Sequence, residues 1–345
     1  MTVSAAQRQT DGDPLDRLPP VEIRAASSVN LDALIANGVP VVLTGLFDAW
    51  PALAAGRHSP ARLSAYLKAM DRGMAGPVME APANSGGRFG YAADLREFSF
   101  SKRQRSIPET LDRIERLLGT ADAPFVAIQM LPLVSHLPDF VRDNAMPLLP
   151  AVGPRLWIGG PVRTQTHNDR DHNLACVIAG HRRFVLFPPE QVSNLYVGPL
   201  DNPPPLSLVD PEAPDLARFP RYTDALAAAR VAHLAPGDAL FMPKYWWHHV
   251  TSRDPYNAMV NYWWGDSATG LERANDAFLT ALLALRDLPA SERAYWKAMF
   301  DLHVFGSESA VDHIPAELRG ALGTMRPAAR AALKQQLKMA FLKSS

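Results

Sequence analysis

The chain has 345 residues, 47% of them hydrophobic, which suits one large domain with an appendage. Its 35 acidic residues balance 35 lysines and arginines, so no long-range field calls for nucleic acid or an anionic membrane. A single cysteine, Cys176, excludes an internal disulfide and fits a reducing compartment, and its apolar neighbours mark it as a buried structural thiol.

In chain order, Met1 to Asp16 is polar and has no signal-peptide stretch, and no apolar run is long enough to span a bilayer, so a cytoplasmic protein is expected. Residues 1–20 read as a flexible lead-in. Val39–Leu43 suits a buried strand. Ser59 to Met70 has helical apolar spacing, with Ser59 as cap and Pro60 in the first turn. Ile107–Leu118 reads as a second helix ending at Gly119, and Phe125–Met130 as a strand.

From Arg155 the texture becomes β. The expected strands are Arg155–Ile158, Thr164–Asp169, Leu174–Ile178, Arg183–Phe187, Val231–Leu234, Ala239–Met242, His249–Ser252 and Ala258–Trp264. Many short strands separated by turn residues predict a mainly β barrel or sandwich, over residues 21–268. A proline-dense stretch (Pro203 to Pro205, Pro211, Pro214) reads as a surface insertion. Residues 269–345 turn helical, at Leu271–Leu288, Ser291–Phe300, Pro315–Leu322 and Pro327–Leu342.

The chemistry centres on His167-Asn168-Asp169 and the distant His248. Residues i and i+2 of a strand share a face, so His167 and Asp169 would point together into a barrel. A histidine from another strand completes two imidazoles and a carboxylate, the set that leaves non-haem Fe(II) open positions for a co-substrate and O₂. A His-x-Asp pair alone specifies little. Here the distal histidine ends Pro236-Gly237-Asp238-Ala239-Leu240-Phe241-Met242-Pro243-Lys244-Tyr245-Trp246-Trp247-His248: a tight turn, a strand, a proline stop, then two tryptophans that would clamp the approach to His248.

Together with Gly180 to Pro189 and Asn261-Tyr262-Trp263-Trp264, these stretches resemble the cupin-like JmjC family that includes the asparaginyl hydroxylase acting on hypoxia-inducible factor. The resemblance covers roughly Pro40 to Trp264. It implies a double-stranded β-helix (cupin/jelly-roll barrel) with N-terminal α/β elements and C-terminal helices. It also implies a 2-oxoglutarate-dependent dioxygenase, with Fe(II) on His167, Asp169 and His248 as the catalytic group.

For 2-oxoglutarate, the resemblance assigns Thr164 and Arg182 to the far carboxylate and Asn173 and Asn261 to the metal-proximal one. Arg182 stands where relatives have lysine; its fork grips a carboxylate with different geometry. Arg183 competes for that role, but strand alternation turns only one of the two inward. Ala127 stands where relatives have tyrosine. Thr164 has the wrong parity to face with His167 on a regular strand, so a bulge is expected. Equivalent C-terminal helices form a dimer interface in relatives, which implies a homodimer.

His172 and Asp171 are expected beside the ligands or at the surface, His249 facing away from His248, His181 solvated and Tyr196 in packing. At least two of Trp246, Trp247, Trp263 and Trp264 should pack in the core. The prime substrate, a protein side chain or small molecule, is not legible in these residues. A non-enzymatic barrel that senses a ligand such as a carbohydrate is the alternative, and an iron oxygenase that dispenses with 2-oxoglutarate is a third.

Overall fold

A computed structural model describes residues 12–200, 205–265 and 273–343. The chain divides into two compact units, 1–266 and 267–345. The first unit carries fourteen described strands: β1 Glu22–Ala25, β2 Val41–Thr44, β3 Ala75–Ala81, β4 Arg88–Phe89, β5 Ser101–Ser106, β6 Phe125–Pro132, β7 Arg155–Gly159, β8 Arg163–Asn168, β9 His172–Ala179, β10 Arg182–Phe187, β11 Arg230–Leu234, β12 Asp238–Met242, β13 Trp247–Ser252 and β14 Asn257–Trp264. They form a nine-stranded sheet, β1-β2-β12-β9-β14-β7-β6-β3-β5, and a five-stranded one, β11-β10-β13-β8-β4.

The strands β7 to β14 divide between the sheets, four in each, and all but the β10–β11 pair switch sheet from one to the next, giving the expected mainly β jelly roll. β9 shows why the sequence folds this way. Every residue of it is buried. Leu174, Cys176 and Ile178 belong to one core cluster, Ala175 and Val177 to another. A strand covered on both faces reads as an unbroken apolar run rather than an alternation.

Its outer face meets the helices α2 (Pro51–His58) and α3 (Pro60–Lys68), which follow α1 (Leu31–Asn37) in the chain. α2 lies so close that a Cβ on Gly56 would stand 2.0 Å from the Ile178 carbonyl oxygen, so only glycine fits there. Ser59 caps α3, accepting from the Arg62 N–H at 3.1 Å. Further along, α4 (Ile107–Leu117) packs Ile107, Leu111 and Ile114 into the same core and ends before Gly119 at φ 72°. The N-terminal decorations thus extend and cover one sheet. The inner cluster lies between the sheets and draws on both, with Phe184, Leu186, Val250 and Leu234 facing Ala175, Val177, Leu240, Met242 and Met259.

Three expectations change. Of the flexible lead-in, residues 1–11 lie outside the described ones, but Pro14–Arg17 forms a 3₁₀ turn with Leu15 and Asp16 buried. Of the proline-dense insertion, Pro203 and Pro204 lie outside the described residues, yet the following segment is not merely surface. Leu206, Val209, Phe219 and Tyr222 are buried, three of them against Val185, Phe187 and Trp247 on the outer face of the smaller sheet. A helix over Pro315–Leu322 gives way to two 3₁₀ turns, Ala316–Leu318 and Gly320–Leu322, because Gly320, which opens the second, takes φ 53°.

The second unit holds the helices Ala274–Leu285, Ala290–His303 and Pro327–Lys343; the expected start at Leu271 lies outside the described residues. No helix among the described residues is long and apolar enough to cross a membrane.

Candidate metal centre

Strand parity sorts the side chains of the smaller sheet. His248 of β13 pairs with Leu186 of β10 and Val250 with Phe184, all on the inner face. His167 of β8 pairs with His248 and Thr164 with Val250. Between those pairs β8 takes three steps while β13 takes two. This is the bulge that Thr164 required, and it turns Thr164 inward with His167. His248 belongs to the strand itself, which starts at Trp247 rather than at His249.

His167, Asp169 and His248 converge. One ligand atom from each lies within 4.8 Å of the others, with His248 Nε2 3.7 Å from Asp169 Oδ2 and the two imidazole centroids 4.3 Å apart. Each imidazole is oriented from behind. The His167 Nδ1 lies 2.9 Å from the Gln165 carbonyl oxygen and the His248 Nδ1 3.1 Å from the Trp246 carbonyl oxygen. A carbonyl only accepts, so the proton sits on Nδ1 in both rings and each Nε2 keeps a free lone pair.

Asp169 Oδ2 is buried with no hydrogen-bond partner among the described residues. A buried carboxylate oxygen left bare is costly, and a cation between the three groups would remove that cost. Burial, aided by the neighbouring His167, pushes the His248 pKa down to about 4 against the pull of Asp169, so its ring is neutral near pH 7. Two imidazoles and one carboxylate fit a divalent metal ion.

The loop before His248 is pinned as its residues suggested. Pro-Gly-Asp turns tightly, with the Asp238 N–H donating to the Ala235 carbonyl at 2.9 Å. Trp246 packs in the inner core and donates its Nε1–H to the Gly38 carbonyl at 2.9 Å, while Trp247 packs on the outer face. The Tyr245 N–H holds the Asp169 carbonyl at 2.8 Å. His172 is buried, accepts from the Lys244 N–H at 3.2 Å and stacks on Phe241.

Towards the opposite end of the inner face stands Arg182, 7% exposed. Burial alone pushes its pKa down to about 10, with no carboxylate to offset the penalty, and its Nε has no partner among the described residues. Its cross-strand neighbour Ser252 also carries a buried hydroxyl without a partner. Arg183 points the other way, to Asp13, Asp16 and Glu212. Asn173 and Asn261 are buried on the larger sheet, 3.5 Å apart between Oδ1 and Nδ2, and Asn261 Oδ1 accepts from Trp157 Nε1 at 2.8 Å. Ala127 is buried among Ala81, Phe89 and Val162.

Ser252 and Trp157 were missed from sequence, although Ser252 lies at i+4 from His248 on one strand and parity could have found it. The remaining residues behave as expected. His249 faces outward 3.5 Å from Glu212, His181 is exposed beside Asp254, and Tyr196 packs on Phe219.

With that geometry in hand, comparison with known proteins gives a match to the cupin-like domain over residues 26–270. The chain belongs to the cupin-like domain family. The cupin-like domain here is also similar to HSPB1-associated protein 1 of Bos taurus, 35% identical over 147 residues, covering 41% of this chain and 30% of that protein. Lysine-specific demethylase JMJ31 of Arabidopsis thaliana is 39% identical over 103 residues, 30% of this chain and 19% of its own. Lysine-specific demethylase 8 of Danio rerio is 26% identical over 234 residues, 65% of this chain and 53% of its own. The matched segment thus spans less than a third of the first two relatives and about half of the third. These matches bear out the resemblance to the JmjC group of cupin-like proteins and the mainly β jelly-roll fold.

Proposed function

We propose that the chain is an Fe(II)- and 2-oxoglutarate-dependent oxygenase that hydroxylates a C–H bond of a protein side chain or small molecule. The observation that carries this reading is the bare, buried Asp169 Oδ2 facing two imidazoles whose Nδ1 atoms are committed to backbone carbonyls. Relatives named as lysine-specific demethylases support an oxygenase of this kind.

In this reading His167, Asp169 and His248 hold the iron. Arg182, Ser252 and Thr164 receive the far carboxylate of 2-oxoglutarate, and the arginine satisfies its missing hydrogen bonds when it does so. Ala127 leaves room where relatives place a tyrosine, and Ser252 supplies a hydroxyl from the neighbouring strand instead. Asn173 and Asn261, fixed by Trp157, flank the metal-proximal end. Bound iron with 2-oxoglutarate and O₂ supplies the oxidising equivalents, with succinate and CO₂ as co-products. The chain's own task is to position both substrates and keep water out.

Anaerobic addition of Fe(II) and 2-oxoglutarate should give a visible charge-transfer band, and O₂ should then release succinate. Absence of both favours the ligand-sensing barrel, and a band without succinate in the presence of candidate substrates favours an inert co-substrate site. The protein acts in the cytoplasm, in keeping with its single buried thiol, and pairs through its C-terminal helices. In support of that pairing, Phe278, Leu279 and Leu283 of the helix Ala274–Leu285 are exposed. Light scattering that finds a monomer at tens of micromolar would remove the dimer.

A further inference from the structure

Arg155 has no part in the metal centre or in the anchoring of 2-oxoglutarate. It opens β7 and pairs with Asn261 of β14. Leu156 and Ile158 of β7 pack in the outer core, while Trp157 packs against the inner cluster. Alternation therefore puts Arg155 on the inner side with Trp157. Its guanidinium carbon lies 5.0 Å from the centroid of the Trp263 ring, and Trp263 meets Trp157 edge-on at 5.9 Å. Trp263 pairs with Asn173, at the start of β9 and four residues after Asp169. The Arg155–Trp263 stack thus stands at the end of the barrel where the metal group lies.

Two groups there lack partners. Among the described residues no carboxylate lies within ion-pair distance of Arg155, and the Trp263 Nε1 is buried with no acceptor. A guanidinium held over an indole uses its face and leaves its edge donors free, in a fork that matches a carboxylate.

Arg182 is remote along the strands. It follows Ala179, which pairs with Ala258, whereas Arg155 pairs with Asn261, three residues further along β14. That offset is about 10 Å, so the two cations address different carboxylates.

We infer that Arg155 and Trp263 form a carboxylate subsite at the barrel mouth that selects prime substrates bearing an acidic group. The inference rests on the oxygenase reading. The metal-proximal carboxylate of 2-oxoglutarate has the same chemistry. An acidic prime substrate is the better occupant because Trp263 lies two residues beyond Asn261, toward the end of β14, and carries the guanidinium with it.

The test is calorimetric titration of the full chain, with redox-silent Zn(II) in place of iron. The probes are doubly capped aspartate and glutamate, with capped asparagine and glutamine as neutral isosteres. The acidic probes should bind saturably and the neutral ones should not, with 2-oxoglutarate at saturation leaving this unchanged. Arg155→Met should weaken acidic-probe binding about 10- to 100-fold. Arg155→Lys, which keeps charge but loses the fork, should fall between.

Equal binding of the neutral isosteres, or no change in Arg155→Met at an unaltered thermal midpoint, overturns the subsite. Displacement of the probes by 2-oxoglutarate, with Arg155→Met weakening both alike, reassigns Arg155 to the co-substrate and overturns the substrate class. A chain that takes up no metal yet binds acidic probes through Arg155 keeps the subsite and loses the oxygenase.

Discussion

Arg182 and Arg183 are adjacent and both nearly buried, and each has a bare Nε, but among the described residues only Arg183 has carboxylate partners. Arg182 faces the interior of the jelly roll with a bare Nε beside a bare Ser252 hydroxyl. Arg183 faces outward into Asp16 and Glu212, and the same carboxylates also take Arg253 and Arg163. One face of the smaller sheet holds charges that the fold itself neutralises, and the other holds polar groups that it does not. Burying a charge is costly, so a buried one without a protein partner marks a place for something else to bind. The metal group follows the same rule through Asp169 Oδ2, and Arg155 follows it at the rim.

The sharpest break in this contrast comes from His167→Ala, which removes one of the three groups proposed to hold the metal. Metal uptake by calorimetry should disappear while the thermal midpoint of the chelator-treated chain stays close to that of the parent. A variant that still takes up one metal ion with parental affinity would show that the unpartnered face is not a metal site.

The two arginines supply the next test, run as a pair. Arg183→Met removes the one guanidinium that Asp16 and Glu212 share and should cost about 3–5 kcal/mol in urea unfolding. Arg182→Met should cost little or raise stability, because it removes a buried charge that has no partner. The same Arg182→Met should raise the concentration of 2-oxoglutarate needed for half-maximal succinate release about 10- to 100-fold. If the requirement for 2-oxoglutarate does not move, Arg182 is not the anchor. Equal stability losses in the two variants would erase the distinction between the faces.

A smaller effect follows from pH. Burial depresses the pKa values of His248, His172 and His233 in the folded chain, so each binds its proton more readily when unfolded. Stability in chelator is therefore full above the unfolded value of about 6.5 and falls with pH below it. His248 contributes down to about 4, with a steepest slope of about 1.4 kcal/mol per pH unit. His248→Gln should flatten that slope in denaturant titrations between pH 4 and 6.5; an unchanged slope would assign the acid sensitivity elsewhere.

The core strands and the His167, Asp169 and His248 cluster were legible because their signals are local. Short apolar runs between turn residues, the Pro236-Gly237-Asp238 turn and the stop at Pro243 each act within a few residues, and each appears where the sequence indicates. The bulge in β8 was legible too, from the mismatch in parity between Thr164 and His167. The decorations were harder to see. β5 (Ser-Lys-Arg-Gln-Arg-Ser) has no apolar alternation, since it is an exposed edge held through backbone pairing to β3 alone.

By itself, the sequence determined the barrel class, the family and the His-Asp-His set, because strand period, turn chemistry and ligand type reside in short stretches of chain. Only the tertiary structure decided that residues near position 13 and position 212 neutralise Arg183, that Ser252 stands beside Arg182, and that Trp263 carries Arg155 to the rim. Those choices depend on partners up to 170 residues away. Such pairings carry no local period; they exist only once two sheets have closed on each other and fixed which face of each strand is inside.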